Sequence, residues 1–252
     1  MIDKPISYGR QYITDDDIAA VVKTLKSDFL TQGPKIKEFE SNFATYCNAK
    51  YDVMVSNGTA ALHLAAMALG IQPGDKVITT PITFVASANG FRYCGAEIVF
   101  CDIDPKNFLM DLDKLENILK SSPKGTFKAV IPVDFAGYPV DGERLRALAD
   151  EYGFAIVEDA CHAPGGSFID SKGIQHMVGD CAYADMTVFS YHPVKHIATG
   201  EGGSITTNRK DLFDKLSLYR TLLMGLQKIR NYWNILMAFG IMKCKSWDIT
   251  IG

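Results

Sequence analysis

No uninterrupted apolar run in the 252-residue sequence reaches membrane-spanning length, and the start, Met1-Ile2-Asp3-Lys4-Pro5, lacks the basic-then-apolar pattern of a signal peptide. A cytoplasmic protein with no membrane partner is the expectation. Charge of one sign is also missing. The 26 basic residues are scattered among 29 acidic ones for a net charge of −3, so there is no footprint for a polyanion and nucleic acid is not an expected partner. Cys47, Cys94, Cys101, Cys161, Cys181 and Cys244 show no CxxC spacing, which points to reduced structural thiols and to no metal site. Internal repeats, low-complexity linkers and the Gly-Lys-Ser/Thr of a Walker loop are absent as well. What is present, 47% hydrophobic and 22% charged residues, suits an ordinary globular protein with a sizeable core.

Helix and strand patterns alternate along most of the chain, the signature of an α/β layer fold with a largely parallel sheet. Thr14 before three aspartates predicts a helix to about Ser27, and a second helix follows Pro34. Strands are predicted at Asp52–Ser56, Lys76–Thr80, Glu97–Cys101, Lys128–Val133, Phe154–Val157, Ala182–Phe189 and Gly203–Thr207. Helices are predicted at Ala60–Leu69, Phe84–Tyr93, Leu112–Leu119 and Gly142–Tyr152. Glu158 and Asp159 then fall at the C-terminal end of a strand, where open α/β sheets place their ligands.

Three segments carry chemistry. Ser56-Asn57-Gly58-Thr59-Ala60-Ala61 joins a strand to a helix through a glycine, so amides and the Thr59 hydroxyl can converge on an anion; a tight turn with a helix cap reads equally well. Glu158-Asp159-Ala160-Cys161-His162 sets a carboxylate three residues before an imidazole, either as a cap or as partner to a pyridinium nitrogen. Ser190-Tyr191-His192-Pro193-Val194-Lys195, with Thr199-Gly200-Glu201-Gly202-Gly203 after it, is the sharpest signal. A loop lysine is usually a solvated residue, yet one lodged beside a serine and a glycine-rich stretch can attack a carbonyl to form a Schiff base.

These segments, with Leu30-Thr31-Gln32-Gly33, His63 after Leu62, Pro81-Ile82-Thr83-Phe84 and Val85-Ala86-Ser87, resemble the DegT/DnrJ/EryC1/StrS sugar aminotransferases, which use pyridoxal 5′-phosphate (PLP). The resemblance covers about residues 5 to 221. It implies an α/β protein of PLP fold-type I, aspartate aminotransferase-like, with a mostly parallel mixed sheet between helices in a large domain at residues 1–221. It further implies Lys195 as the Schiff-base lysine, Asp159 on the pyridine nitrogen, His162 near the ring's phenolic oxygen, and Phe84 stacked on the ring. Gly58, Thr59 and Ser190 would hold the phosphate. Tyr8, Phe29, Leu30, Thr31 and Gln32 match the family's nucleotide-sugar contacts, though Tyr8 taken alone reads as packing. Lys195 argues against the dehydratase relatives that carry histidine there. The implied reaction is ping-pong transfer from an amino acid donor, glutamate, to a nucleotide-linked 4-keto-6-deoxy sugar, with Lys195 moving the α-proton. Within the family, the resemblance is to the branch acting on UDP-linked 4-keto-6-deoxy-N-acetylhexosamines, as in pseudaminic acid synthesis. A homodimer completes the site in that family.

After Thr221 the family pattern of a His-Gly motif, a Gly-Tyr-Asn-Tyr-Arg segment and a small C-terminal domain does not appear. Codons permitted for Met237–Gly252, read from the third base of the Met237 codon, do spell a peptide ending in Gly-Tyr-Asn-Tyr-Arg. The expectation is a frameshift near Leu222, a tail at 222–252 that is out of frame, and a missing small domain. A truncated, inactive product that binds PLP weakly or only pairs with an intact relative is the alternative. A PLP-independent nucleotide-sugar binder is a third.

Overall fold

A computed structural model describes residues 9–220, so Tyr8 and the 222–252 tail lie outside the described residues. Helix α1 (Asp15–Leu25) starts where the three aspartates predict, with a reciprocal capping box. The Thr14 hydroxyl accepts from the Asp17 amide, and the Asp17 carboxylate accepts from the Thr14 amide. Helix α2 (Pro34–Cys47) opens on its proline, where a missing amide costs nothing.

The remaining elements alternate. They are β1 (Tyr51–Val55), α3 (Gly58–Leu69), β2 (Lys76–Thr79), α4 (Ala86–Arg92), β3 (Glu97–Phe100), α5 (Leu112–Lys120) and β4 (Phe127–Ile131). Then come α6 (Gly142–Tyr152), β5 (Ala155–Asp159), β6 (Ser167–Ile169), β7 (Gln175–Met177), β8 (Met186–Ser190), β9 (Gly203–Thr207) and α7 (Lys210–Arg220). Seven strands form one sheet in the order β1-β9-β8-β5-β4-β2-β3. β3, β2, β4, β5 and β8 pair in parallel, and β9 runs against both β8 and β1. The sheet is therefore mostly parallel and mixed, as expected.

Alternate strand residues feed two cores because successive side chains leave opposite faces of a strand. Val77, Ala129, Ile131 and Val157 pack with Leu62, Phe91 and Leu216, beneath α3, α4 and α7. Ile78, Val130 and Ile156 pack with Leu115, Leu119 and Leu145, beneath α5 and α6. A third cluster, Phe43, Phe189 and Tyr191 with Phe39 beside it, fixes α2 over the end of β8 through edge-on ring contacts. The alanines of α3 let it approach both the sheet and α4; a Cβ on Gly90 would lie 2.9 Å from that of Leu62.

Boundaries differ from the sequence expectation where local polar bonds intervene. The strand expected from Ala182 begins at Met186, because Asp180 Oδ1 accepts from the Ala182 amide and Cys181 is in the left-handed region, φ 52°. The strand expected to stop at Val157 continues through Asp159, whose amide donates to Pro132. The hairpin β6–β7 carries no pattern long enough to have announced it.

Candidate active site

The end of β5 fixes Asp159. Its amide donates to the Pro132 carbonyl at 2.9 Å, and its own carbonyl accepts from Asp134 at 3.1 Å, which locks the ends of β4 and β5 together. The side chain is buried but not bare. Oδ2 accepts from the Ser87 hydroxyl at 2.5 Å and Oδ1 from the Cys161 amide at 3.2 Å. Ser87 spends its one proton on that carboxylate, so the Thr83 hydroxyl, 2.6 Å away, is the donor to Ser87. The sequence reading gives neither Thr83 nor Ser87 a site role. Their four-residue spacing, two hydroxyls one helical turn apart, is the signal that could have found them.

Across the sheet edge, β1 turns into α3. Asn57 caps the helix, with Oδ1 accepting from the Ala60 amide at 2.8 Å and its carbonyl accepting from Ala61 at 3.0 Å. The Gly58 and Thr59 amides are among the donors that a helix start leaves without intrahelical partners, at the positive end of the dipole. A Cβ on Gly58 would sit 3.0 Å from the Ser190 Cβ and 3.4 Å from both its Oγ and the Cys161 Sγ. Glycine at 58 is what lets the helix start, Ser190 and Cys161 meet. The Gly58 and Thr59 amides and the Ser190 hydroxyl meet there at a place suited to an oxyanion such as a phosphate.

Lys195 stands on the loop between β8 and β9, half-buried, its amide donating to the His192 carbonyl at 2.8 Å. The loop is tied at its base. Tyr191 donates its amide to Gly202, Thr199 donates to Tyr191, and the buried Tyr191 phenol is 2.7 Å from the Ser204 hydroxyl. The charge of Lys195 is felt at Cys161 and His162. Burial first, then that lysine, holds the His162 imidazole below its usual range, so it is neutral at pH 7. Its Nδ1 accepts from the Ala136 amide at 3.4 Å. Burial drives the Cys161 thiol well up, leaving it unreactive.

The structure thus brings Gly58, Thr59, Asp159, His162, Ser190 and Lys195 together at one edge of the sheet. Phe84 joins them through its carbonyl, which accepts from the Ser87 amide at 3.1 Å, while the residue is 71% exposed. Phe29, Leu30, Thr31 and Gln32 are exposed between α1 and α2. Among the described residues the one hydrogen bond that joins them to the rest is the Ser27 hydroxyl donating to the Phe29 carbonyl at 3.3 Å, and no ion pair or ring contact does. Gly9 lies against Val194, so the chain entering the described region passes the Lys195 loop.

The model of the DegT/DnrJ/EryC1/StrS aminotransferase family matches residues 11–243, which runs past residue 221, where the motif resemblance stops. GDP-perosamine synthase of Caulobacter vibrioides is 41% identical over 207 residues, 82% of this chain and 52% of that protein. UDP-4-amino-4,6-dideoxy-N-acetyl-beta-L-altrosamine transaminase of Campylobacter jejuni is 37% identical over 244 residues, 96% of this chain and 57% of that one. Among solved structures, the PLP form of the sugar aminotransferase Spr1654 from Streptococcus pneumoniae superposes with a TM-score of 0.74 at 31% identity, covering 84% of this chain and 57% of the other. The chain spans about half the length of the curated relatives it matches. No described helix is long and apolar enough to cross a membrane.

Proposed function

Because the chain belongs to the DegT/DnrJ/EryC1/StrS aminotransferase family, we propose that it carries the PLP-binding half of a sugar aminotransferase. The observation that carries this reading is the meeting, at one sheet edge, of a buried hydrogen-bonded carboxylate, a half-buried lysine and an amide-lined cradle. The chemistry of that donor set fits the cofactor. Asp159 would pair with a protonated ring nitrogen, its carboxylate kept aimed by Ser87. The Gly58 and Thr59 amides with the Ser190 hydroxyl would bind the phosphate, Phe84 would cover a ring face, and neutral His162 would serve the ring oxygen. When bound, PLP supplies the electron sink that stabilises charge formed at the donor's α-carbon. Lys195 Nζ would hold the group and would carry the α-proton away from the donor and back.

The substrate reading is a nucleotide-linked 4-keto-6-deoxy sugar with glutamate as donor, acted on by a cytoplasmic homodimer. The finer choice is a UDP-linked N-acetylhexosamine, supported by the Campylobacter jejuni relative; the Caulobacter vibrioides relative, whose product is GDP-linked, supports the alternative nucleotide. Tyr8 and Phe29 to Gln32 are the proposed contacts for it. Residues 1–221 form the large domain in this reading, and 222–252 an out-of-frame tail. Sequencing the gene through the Leu222 codon tests the tail. Should the tail be out of frame, the second reading gains support: a product that binds PLP weakly or pairs with an intact relative. Borohydride reduction in the presence of PLP should trap a pyridoxyl group on Lys195. A label on any other lysine, or none, overturns the assignment.

A further inference from the structure

Three carboxyl groups crowd the ends of β4 and β5. Val133 bridges to Asp159, the Asp134 amide donates to the Asp159 carbonyl, and Glu158 immediately precedes Asp159 on the other face of the strand. Asp134 is wholly buried. Its Oδ1 accepts from the Val140 amide at 3.0 Å, but Oδ2 has no donor facing it. The side chain that comes near it is another carboxyl: Glu158 lines one small cavity together with Val140, the residue whose amide Asp134 holds, and after burial the charge of Glu158 is the strongest influence on Asp134. Glu158 in turn accepts from the Thr187 hydroxyl at 2.7 Å. No cation pairs with any of the three carboxyls among the described residues.

Two ionised carboxylates in contact, out of water and without a cation, are costly on both counts. A single proton removes both the repulsion and the orphaned oxygen, because a carboxylic acid donates where a carboxylate only accepts. We propose that Asp134 and Glu158 share one proton, held on Asp134 Oδ2 and donated to Glu158, which makes Asp134 a positioning residue behind Asp159. The assignment follows from the donors at hand. Glu158 already receives the Thr187 hydroxyl and can receive a second hydrogen bond, whereas Asp134 Oδ2 has nothing to receive. Burial raises both groups first; the charges of Glu158 and then Asp159 on β5 raise Asp134 further against the lowering Val140 amide, and those of Asp180, in the loop after β7, and Asp159 raise Glu158 against the lowering hydrogen bonds from Thr187 and Asp134. The consequence is that the negative charge of Asp159 is not met by a second one on Asp134. That consequence rests on the proposed function; the retained proton does not.

The test is made on the full chain without cofactor, so its failure is separate from failure of the Lys195 assignment. An acid whose affinity for its proton is raised by folding loses stabilisation as pH climbs from its unfolded range toward its folded one. Asp134→Asn keeps a donor toward Glu158 and an acceptor for Val140, and has nothing to ionise. Between about pH 5 and about pH 8 the folding constant of the wild type should fall relative to this variant by about tenfold per pH unit until Asp134 ionises. A ratio flat across that range overturns the proposal. If the variant does not fold, the infrared carbonyl band of a protonated carboxyl decides, read in Asp52→Asn to remove the other buried, proton-retaining aspartate. Its persistence at pH 7 supports the shared proton, and its absence overturns it.

Discussion

The two flanks of the site are built on opposite principles. Asp159 ends a buried parallel strand, and its carboxylate, its amide and its carbonyl all have protein partners. Lys195 rides on a loop in which His192, Val194 and His196 are exposed, and its backbone is held mainly by turns within the loop. The carboxylate is therefore fixed before any ligand arrives, whereas the lysine is delivered by a segment anchored at Tyr191 and Gly202 and held between them mainly by its own turns. A group that holds a ring nitrogen profits from rigidity, since orientation is its whole contribution. A lysine that attaches, releases and then carries a proton must travel, and a loop lets it do so without moving the sheet.

The largest effect expected from breaking this contrast falls on the rigid flank. Asp159→Asn keeps the shape and loses the charge, so a charge-assisted bond to the ring nitrogen is lost at a cost of about 1.5–3 kcal/mol. PLP titrated against the chain should bind about 10–150-fold more weakly, with the thermal midpoint of the cofactor-free protein moved far less. Equal affinity would remove Asp159 from its proposed role.

A smaller loss is expected at the seam between the flanks. Gly203 opens β9 just where the Lys195 loop ends, and a Cβ there would come within 2.6 Å of the Asn57 carbonyl carbon and 2.7 Å of the Gly58 nitrogen. These are backbone atoms, unable to swing aside, so Gly203→Ala must push β9 from the start of α3. Overpacking of this kind costs about 1–3 kcal/mol. Thermal or denaturant unfolding reads it directly, and an unchanged midpoint would show that the seam is looser than its distances say.

The same contrast explains how much could be read from the sequence. Strand-ending Asp159, the Asn57 cap and Ser190 were legible because strand and helix periods place them. Gly203 and its strand were legible too, as a buried run after a glycine-rich turn. Lys195 was found by its neighbours in the chain. Ser87, by contrast, matters through a bond spanning seventy-two positions to Asp159, and Asp134 through its contact with Glu158. No local pattern encodes which buried carboxyls end up facing each other, because that depends on the register of β4 against β5 and on the turn after β4. The hairpin β6–β7 escaped for a related reason, since its two three-residue strands are ordered by each other and by Gly166 more than by their own composition.

The smallest effect belongs to the loop itself, and it is the sharpest discriminator between the two flanks. Lys195 makes no side-chain hydrogen bond or ion pair among the described residues, and the turns that shape its loop use backbone atoms or the side chains of Ser190, His192 and Thr199. Replacing the side chain removes no partner from the core and leaves no buried polar atom without one. Lys195→Ala should therefore shift folding stability by no more than about 0.5 kcal/mol, the range of surface substitutions away from special features. The same variant should take up no pyridoxyl label on borohydride reduction. A stability loss as large as that of Gly203→Ala would mean that Lys195 is clamped in the fold as firmly as Asp159, and the division between a fixed carboxylate and a delivered lysine would have to be abandoned.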